Sequence, residues 1–233
     1  MIPKTAVITL CVGKDRIEDT ERLIDTFTKY SDYDILVVSD CIENLPDRPD
    51  VKYIELKSIT ELPTFMGRQG ETFNYNLKGI VIKYCYEKFL NYSKLIWADC
   101  DVFLTRKNEY LDTLNSADIY GRSGLISHNP DFTKKFNQLK VILNFDFVDA
   151  PTMNECVIIF NRSLALDKYM RDWARVIEAS YENGLKPYFE LVEIAIALEM
   201  NPDVTYIGLN HNEEIRTDTS ILTKFRNSDL PVF

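Results

Sequence analysis

The sequence predicts an α/β fold with a mixed, mostly parallel central sheet flanked by helices, and three observations predict it. Short runs of β-branched and apolar residues recur along the chain, each closed by a polar or glycine-bearing loop, as buried strands are. Between them lie segments whose apolar residues return every three or four positions, the period of a helix with one buried face. The first elements alternate strand, helix, strand, strand, an order that makes the sheet at least partly parallel. A length of 233 residues fits one domain spanning 1–233. Hydrophobic residues at 45% and charged residues at 27% supply a core and exclude a disordered chain.

Taken in order, 5–11 (TAVITLC) reads as a buried strand that ends at Gly13. A helix follows over 17–30, with Leu23, Ile24 and Phe27 on one face and Asp19 and Glu21 in the early turns, where acids complement the helix dipole. The run 34–39 (DILVVS) is a second strand stopping at Asp40, and 51–56 a third. The spacing of Leu77, Ile80, Val81, Tyr84, Cys85 and Phe89 predicts a helix over 71–90. A strand at 94–98 (KLIWA) runs into Asp99-Cys100-Asp101, and Val102-Phe103-Leu104 resumes the apolar character. Further on, the sequence predicts a helix near 108–115, strands at 118–121 and 156–160, and helices over 164–182 and 190–200. The stretch 122–154 mixes Gly, Ser, Asn, Pro and aromatic residues without a sustained period; it reads as an acceptor-binding loop, with an unrecognised helix as the alternative. The tail 217–233 reads as flexible or as covering the site.

A net charge of −9 argues against broad electrostatic attachment to nucleic acid or anionic lipid, which draws on clustered Lys and Arg. Five scattered cysteines without a C-x-x-C pair indicate neither a disulfide framework nor a structural zinc site. The opening MIPKTAVITLCVGK is too short in its apolar part for a secretory leader, and no later run reaches spanning length, so the expectation is a cytoplasmic chain.

The chemistry gathers at Asp99 and Asp101. Both stand at the carboxyl end of a predicted central strand, the edge where open α/β sheets bind their ligands. Hard cations such as Mg²⁺ or Mn²⁺ take one or two protein carboxylates together with phosphate oxygens and waters, which this pair supplies. D-x-D alone also occurs in surface turns, where the acids merely cap the backbone; the apolar runs on both sides favour a cleft.

The segment KLIWADCDVFL resembles the D-x-D segment of glycosyltransferases of the GT-A fold, a single Rossmann-like domain. TAVITLCVGK is similar to the opening strand and loop of that family, NYNLKGIVIKYCYEKF to the helix before its acid motif, NECVIIFNRS to its later strand and PYFELVEIAIALEMN to its acidic helix. The resemblance implies that Asp101 binds the metal directly and that Asp99 also touches the ribose or the donor sugar. It implies that Cys11, Val12 and Gly13 wrap the nucleoside, that Asp40 contacts base or ribose, and that Lys78 or Lys83 meets donor phosphate or sugar. Glu190 or Glu193 would be the catalytic or donor-orienting carboxylate, and His211 would complete the metal shell as in the glycogenin-like branch, although the longer HxxGxxKPW pattern of that branch is absent. Each has a bland counterpart: Lys78 and Lys83 as solvated helix residues, Glu190 and Glu193 as dipole-favoured helix acids, His211 as a surface histidine, Trp97 and Trp173 as core or rim aromatics.

The function so implied is metal-dependent transfer of a hexose-like unit from a nucleotide-sugar, with UDP-sugars leading, to an acceptor hydroxyl. The acceptor stays open among glycan, lipid-linked sugar, protein and modified nucleic acid. Similarity to glycogenin-like and blood-group-like transferases favours retention of anomeric configuration; inversion would need a base among Asp149, Glu155, Glu190 and Glu193. Two rivals stand beside it: a nucleotidyltransferase acting on sugar phosphates, and an inactive nucleotide-binding protein of the same fold.

Overall fold

Strand side chains alternate between faces, and in this sheet both faces must be apolar because both are covered. The computed structural model describes residues 4–66, 72–107, 109–185, 190–209 and 222–224. In β1 (Lys4–Cys11), Ala6, Ile8 and Leu10 pack into one core while Val7 and Cys11 pack into the other. The same division holds in β2 (Asp34–Ser39), where Leu36 and Val38 oppose Ile35 and Val37. It holds again in β6 (Tyr92–Ala98), where Leu95 and Trp97 oppose Ile96 and Ala98.

The remaining elements follow from that demand for cover. α1 (Ile17–Tyr30) seats Leu23, Ile24 and Phe27 on one face of the sheet. β3 (Val51–Glu55) extends the sheet beyond β2, and the short strands β4 (Phe65–Met66) and β5 (Thr72–Phe73) form a separate antiparallel pair. α2 (Asn76–Lys88) lays Leu77, Val81 and Cys85 on the opposite face from α1. After β6 come β7 (Val102–Leu104), α3 (Glu109–Thr113), β8 (Ile119–Leu125), α4 (Pro130–Leu143) and β9 (Pro151–Asn161). Then α5 (Leu164–Glu182), α6 (Glu190–Glu199), β10 (Tyr206–Leu209) and β11 (Leu222–Lys224) follow among the described residues.

These elements form a single α/β domain around a seven-stranded sheet of order β10-β8-β9-β6-β1-β2-β3. Every neighbouring pair is parallel except those made by β9, which runs antiparallel to β6 and β8. The carboxyl ends of β1, β2 and β6 therefore open on one edge. The β8–β9 pairing continues past the end of β6, through a register shift between Gly121 and Arg122, and builds a wall beside that edge.

Three expectations are corrected. The helix predicted over 71–90 begins at Asn76, because Thr72 and Phe73 pair with β4 and buried Asn74 ties the two strands. The Asn74 peptide N–H donates to Thr64 C=O at 2.9 Å, and its Nδ2 donates to Pro63 C=O at 3.0 Å. The stretch 122–154 is no long loop: α4 occupies its middle, started by Asn129, whose side chain accepts from the Asp131 N–H at 2.9 Å, with proline in the first turn. The strand predicted at 156–160 extends back to Pro151. Of the tail, 222–224 pairs antiparallel with β7 just beyond Asp101, and the rest lies outside the described residues.

α2 meets α5 closely at Gly79. A Cβ there would overlap Ile177 Cδ1 and lie 2.9 Å from Trp173 Cζ2, both in the buried core. Alanine in a helix interior gains about 1 kcal/mol over glycine, but overpacking a tight core costs roughly 1–3 kcal/mol. Gly79→Ala is expected to lose about 1 kcal/mol in urea unfolding; an increase in stability would show that the two helices have room to part.

Candidate functional site

Asp99 leaves the sheet at the end of β6, where its N–H donates to Cys156 C=O of β9 at 2.9 Å. Its own carbonyl accepts from Val102 N–H at 2.9 Å, which closes a tight turn with Cys100 and Asp101 at the bend. Strand geometry thus carries the first acid, and turn geometry the second. The Asp99 side chain is nearly buried and meets Lys78 Nζ at 2.9 Å, while Trp97 Nε1 donates to the same Oδ1 at 3.2 Å. An ionised carboxylate so far out of water persists only with such partners. Lys78 comes from the first turns of α2, and its ammonium also sits 5.3 Å from the centre of the Tyr75 ring.

Asp99, Asp101 and Lys78 line one cleft of about 250 Å³, together with Val12 and Arg16 from the segment after β1 and with Phe65, Phe73 and Tyr75 from the segment before α2. Arg16 was not anticipated from the sequence. It pairs with Asp19 at 3.1 Å; partial burial opposes its charge, but the fields of Cys100, Asp19 and Asp101 outweigh that and leave its pKa raised. The Cys100 thiol is pushed up to about 12, first by burial and then by Asp99 and Asp101 on either side. The acid turn is therefore a locally negative feature, with Lys78 paired with Asp99 and Arg16 within the field of Asp101.

The other expected residues divide. Val12 lines the cleft, and Cys11 is buried beneath it, its thiol raised to about 11 chiefly by burial. Gly13 adopts φ of 80°, and its N–H donates to Asp40 Oδ1 at 3.0 Å, so Asp40 holds the loop after β1. Lys83 faces elsewhere: it pairs with Glu87 at 2.6 Å and borders a separate groove between α2 and α5. Five residues apart on a helix means opposed directions, and only Lys78 reaches the acids. Glu193 is fully buried under α4, 2.6 Å from Lys135 Nζ, and is absent from the described lining of the cleft. Asp149 caps the turn before β9, accepting from Ser127 N–H at 3.1 Å and Ala150 N–H at 2.9 Å. Glu190 opens α6, but its side chain, like that of Glu155 and the whole of His211, lies outside the described residues. Among the described residues no group of three or more His, Cys, Asp or Glu side chains gathers at metal-binding distance. No helix among them is long and apolar enough to cross a membrane.

No family model matches the chain, and no curated protein matches it. Among solved structures it is similar to the apo structure of WbbM, a bifunctional glycosyltransferase, with a TM-score of 0.50 at 14% identity. The match covers 89% of this chain and 39% of that one, so the chain spans about two-fifths of the length of the protein it resembles. At this identity the likeness establishes the fold, a GT-A, Rossmann-like α/β domain.

The Lys135–Glu193 pair bridges α4 and α6 inside an apolar cluster. Removing one partner of such a pair leaves an uncompensated buried charge, at a cost of about 3–5 kcal/mol. Lys135→Met should therefore destabilise by about that amount in chemical denaturation, and Lys135→Met with Glu193→Met should recover most of it. A single variant as stable as the wild type would show that the pair adds nothing to the stability of the fold.

Proposed function

We propose that this chain is a metal-dependent glycosyltransferase that moves a hexose-like unit from a UDP-sugar to an acceptor hydroxyl. The observation that carries the reading is the acid turn itself: Asp99 and Asp101 stand at the carboxyl edge of a mostly parallel sheet, in a cleft with Lys78 and Arg16. The GT-A fold and the glycosyltransferase neighbour support it. The donor set suits Mg²⁺ or Mn²⁺, because two carboxylates offer hard oxygens and leave the rest of the shell to phosphate and water. Asp101 would hold the ion with Asp99, and a bound ion offsets charge on the leaving diphosphate. His211 is proposed as a further ligand.

The chain's own residues have separable tasks in this reading. Lys78 and the Trp97 indole fix the orientation of Asp99. Arg16 supplies positive charge to the cleft, and the loop held by Asp40 presents Val12 and Gly13 to the nucleoside. Because Glu193 is engaged by Lys135, Glu190 is the α6 acid proposed to act at the reacting sugar. Five free thiols fit a reducing, cytoplasmic setting.

One observation favours a second reading. Arg16 follows the first strand and faces the cleft, where a nucleotidyltransferase needs a basic phosphate-binding group. The products separate the two: a glycosyltransferase releases UDP from its donor, whereas a nucleotidyltransferase run in reverse consumes pyrophosphate. An inactive binding protein would do neither.

Two measurements test the proposal. Calorimetry should show tighter UDP binding with Mn²⁺ than without, and Asp101→Asn should abolish that gain in a folded protein; an equal gain in both would place the metal elsewhere. Lys78→Ala should lower kcat/KM for donor hydrolysis by roughly tenfold or more, equivalent to ~1.4 kcal/mol of transition-state stabilisation, while Lys83→Ala leaves it within about twofold. Equal effects at the two positions would remove Lys78 from the site.

A further inference from the structure

The hairpin of β4 and β5 presents something the donor chemistry does not use. Phe65 and Phe73 are directly paired across its two strands, ring centres 6.2 Å apart at 74°. Phe73 meets Tyr75 edge to face at 5.0 Å and 81°. Tyr75 then lies under the Lys78 ammonium, and Lys78 is paired with Asp99. Phe65, Phe73, Tyr75, Lys78 and Asp99 are thus linked by consecutive contacts from the rim of the cleft to its acids, and all five line it.

The hairpin is not explained by packing alone. Two strands of two residues are far below the size at which a hairpin is stable in water. This one is held by buried Asn74 and by the inner edge of Phe73, which packs against the main core. Phe65 gains little from that arrangement, since 46% of its surface stays exposed. The fold therefore anchors one aromatic ring in order to hold another, open to solvent, at the mouth of a charged cleft.

We propose that this aromatic ladder is a binding platform for a carbohydrate acceptor, with a sugar ring stacked on Phe65 and its hydroxyls directed toward Lys78 and the acids. This rests on the glycosyltransferase reading and deepens it by naming the acceptor class. One face of a pyranose ring carries mainly C–H groups, whose slight positive charge suits the negative face of an aromatic ring. The hydroxyl edge of the same ring needs polar partners, and these stand at the inner end of the ladder. A nucleobase would also stack on Phe65, but the two cations of the cleft are differently engaged. Arg16, in the turn after β1, pairs with Asp19, whereas the ladder runs through Tyr75 into Lys78, which pairs with Asp99. A donor spanning the acids from the β1 loop leaves the ladder to the second substrate.

The test uses saturation-transfer NMR and titration of the full chain with maltotetraose, cellotetraose and chitotetraose at millimolar concentration, and with UDP plus Mn²⁺ in parallel. The variants are Phe65→Ala, whose exposed ring can be removed without opening the core, and Phe65→Trp, which keeps a stacking face. The expected result is binding of at least one oligosaccharide. Phe65→Ala should weaken it by about tenfold, the loss of one good ring contact, Phe65→Trp should retain it, and UDP affinity should stay the same in all three proteins. An oligosaccharide bound equally well by Phe65→Ala, or a UDP affinity that falls with the ring, would overturn the platform. Binding of UDP with no oligosaccharide bound would also overturn it while leaving the donor reading in place. Failure of UDP itself to bind would instead remove the reading on which the platform rests.

Discussion

The structure depends on one electrostatic constraint: a carboxylate placed at the end of a strand buried on both faces must bring its counter-charge with it. Asp99 is that carboxylate, and the ammonium that answers it comes from α2, an element 20 or so residues earlier in the chain and packed on one face of the sheet. Delivering Lys78 requires α2 to lie close against its neighbours. The residue that permits this is the next one, Gly79, whose missing side chain lets α2 sit on Trp173 and Ile177 of α5. The packing of two helices and the orientation of one acid are therefore the same problem, solved by two adjacent residues. Asp101 stands in the turn rather than in the strand, is only partly buried, and lies within the field of Arg16.

The single reversed strand has a comparable role. β9 pairs with β6 and β8, and its Cys156 carbonyl fixes the backbone of Asp99. Because β9 continues past β6 and carries β8 with it, the connection between them is lifted to the carboxyl edge. α4 then packs there against α5 and α6, with Lys135 and Glu193 joined beneath it. A wholly parallel sheet would have sent that connection across a face instead.

Much of this was legible because periodicity is strong where burial is strong. The strands 5–11, 34–39 and 94–98 and the helices 17–30 and 164–182 are continuous apolar or amphipathic segments, and their physics is local. The paired acids were legible because two charges interrupt an apolar run. The hairpin was not: Phe73, Leu77, Ile80 and Tyr84 fall at helical spacing, so the period carries through residues that pair as a strand, and the bonds of Asn74 to Pro63 and Thr64 decide otherwise. α4 did leave a signal in Asn129-Pro130-Asp131 followed by Phe132, Phe136, Leu139 and Leu143, but its surroundings, rich in turn-forming residues, obscured it. Spacing could say that Lys78 and Lys83 point different ways, and only the tertiary packing says which one meets the acids. Arg16 had no pattern at all, since a lone arginine in a short turn belongs to no period.

The charge balance of the cleft gives the metal proposal its physical basis. Its described lining carries three acids, Asp15, Asp99 and Asp101, and two cations, Arg16 and Lys78, so it is negative by one formal charge in a protein that is itself at −9. Lys78 and Arg16 are already engaged with Asp99 and Asp19. A diphosphate entering such a site would meet a net negative lining whose two cations already pair with carboxylates, and Arg16 and Lys78 alone would compensate its charge poorly. A divalent ion, if held by Asp99 and Asp101, would offset the negative charge of the acids and of the diphosphate. The charge balance that disfavours an anion alone in this cleft would favour an anion that arrives with its cation.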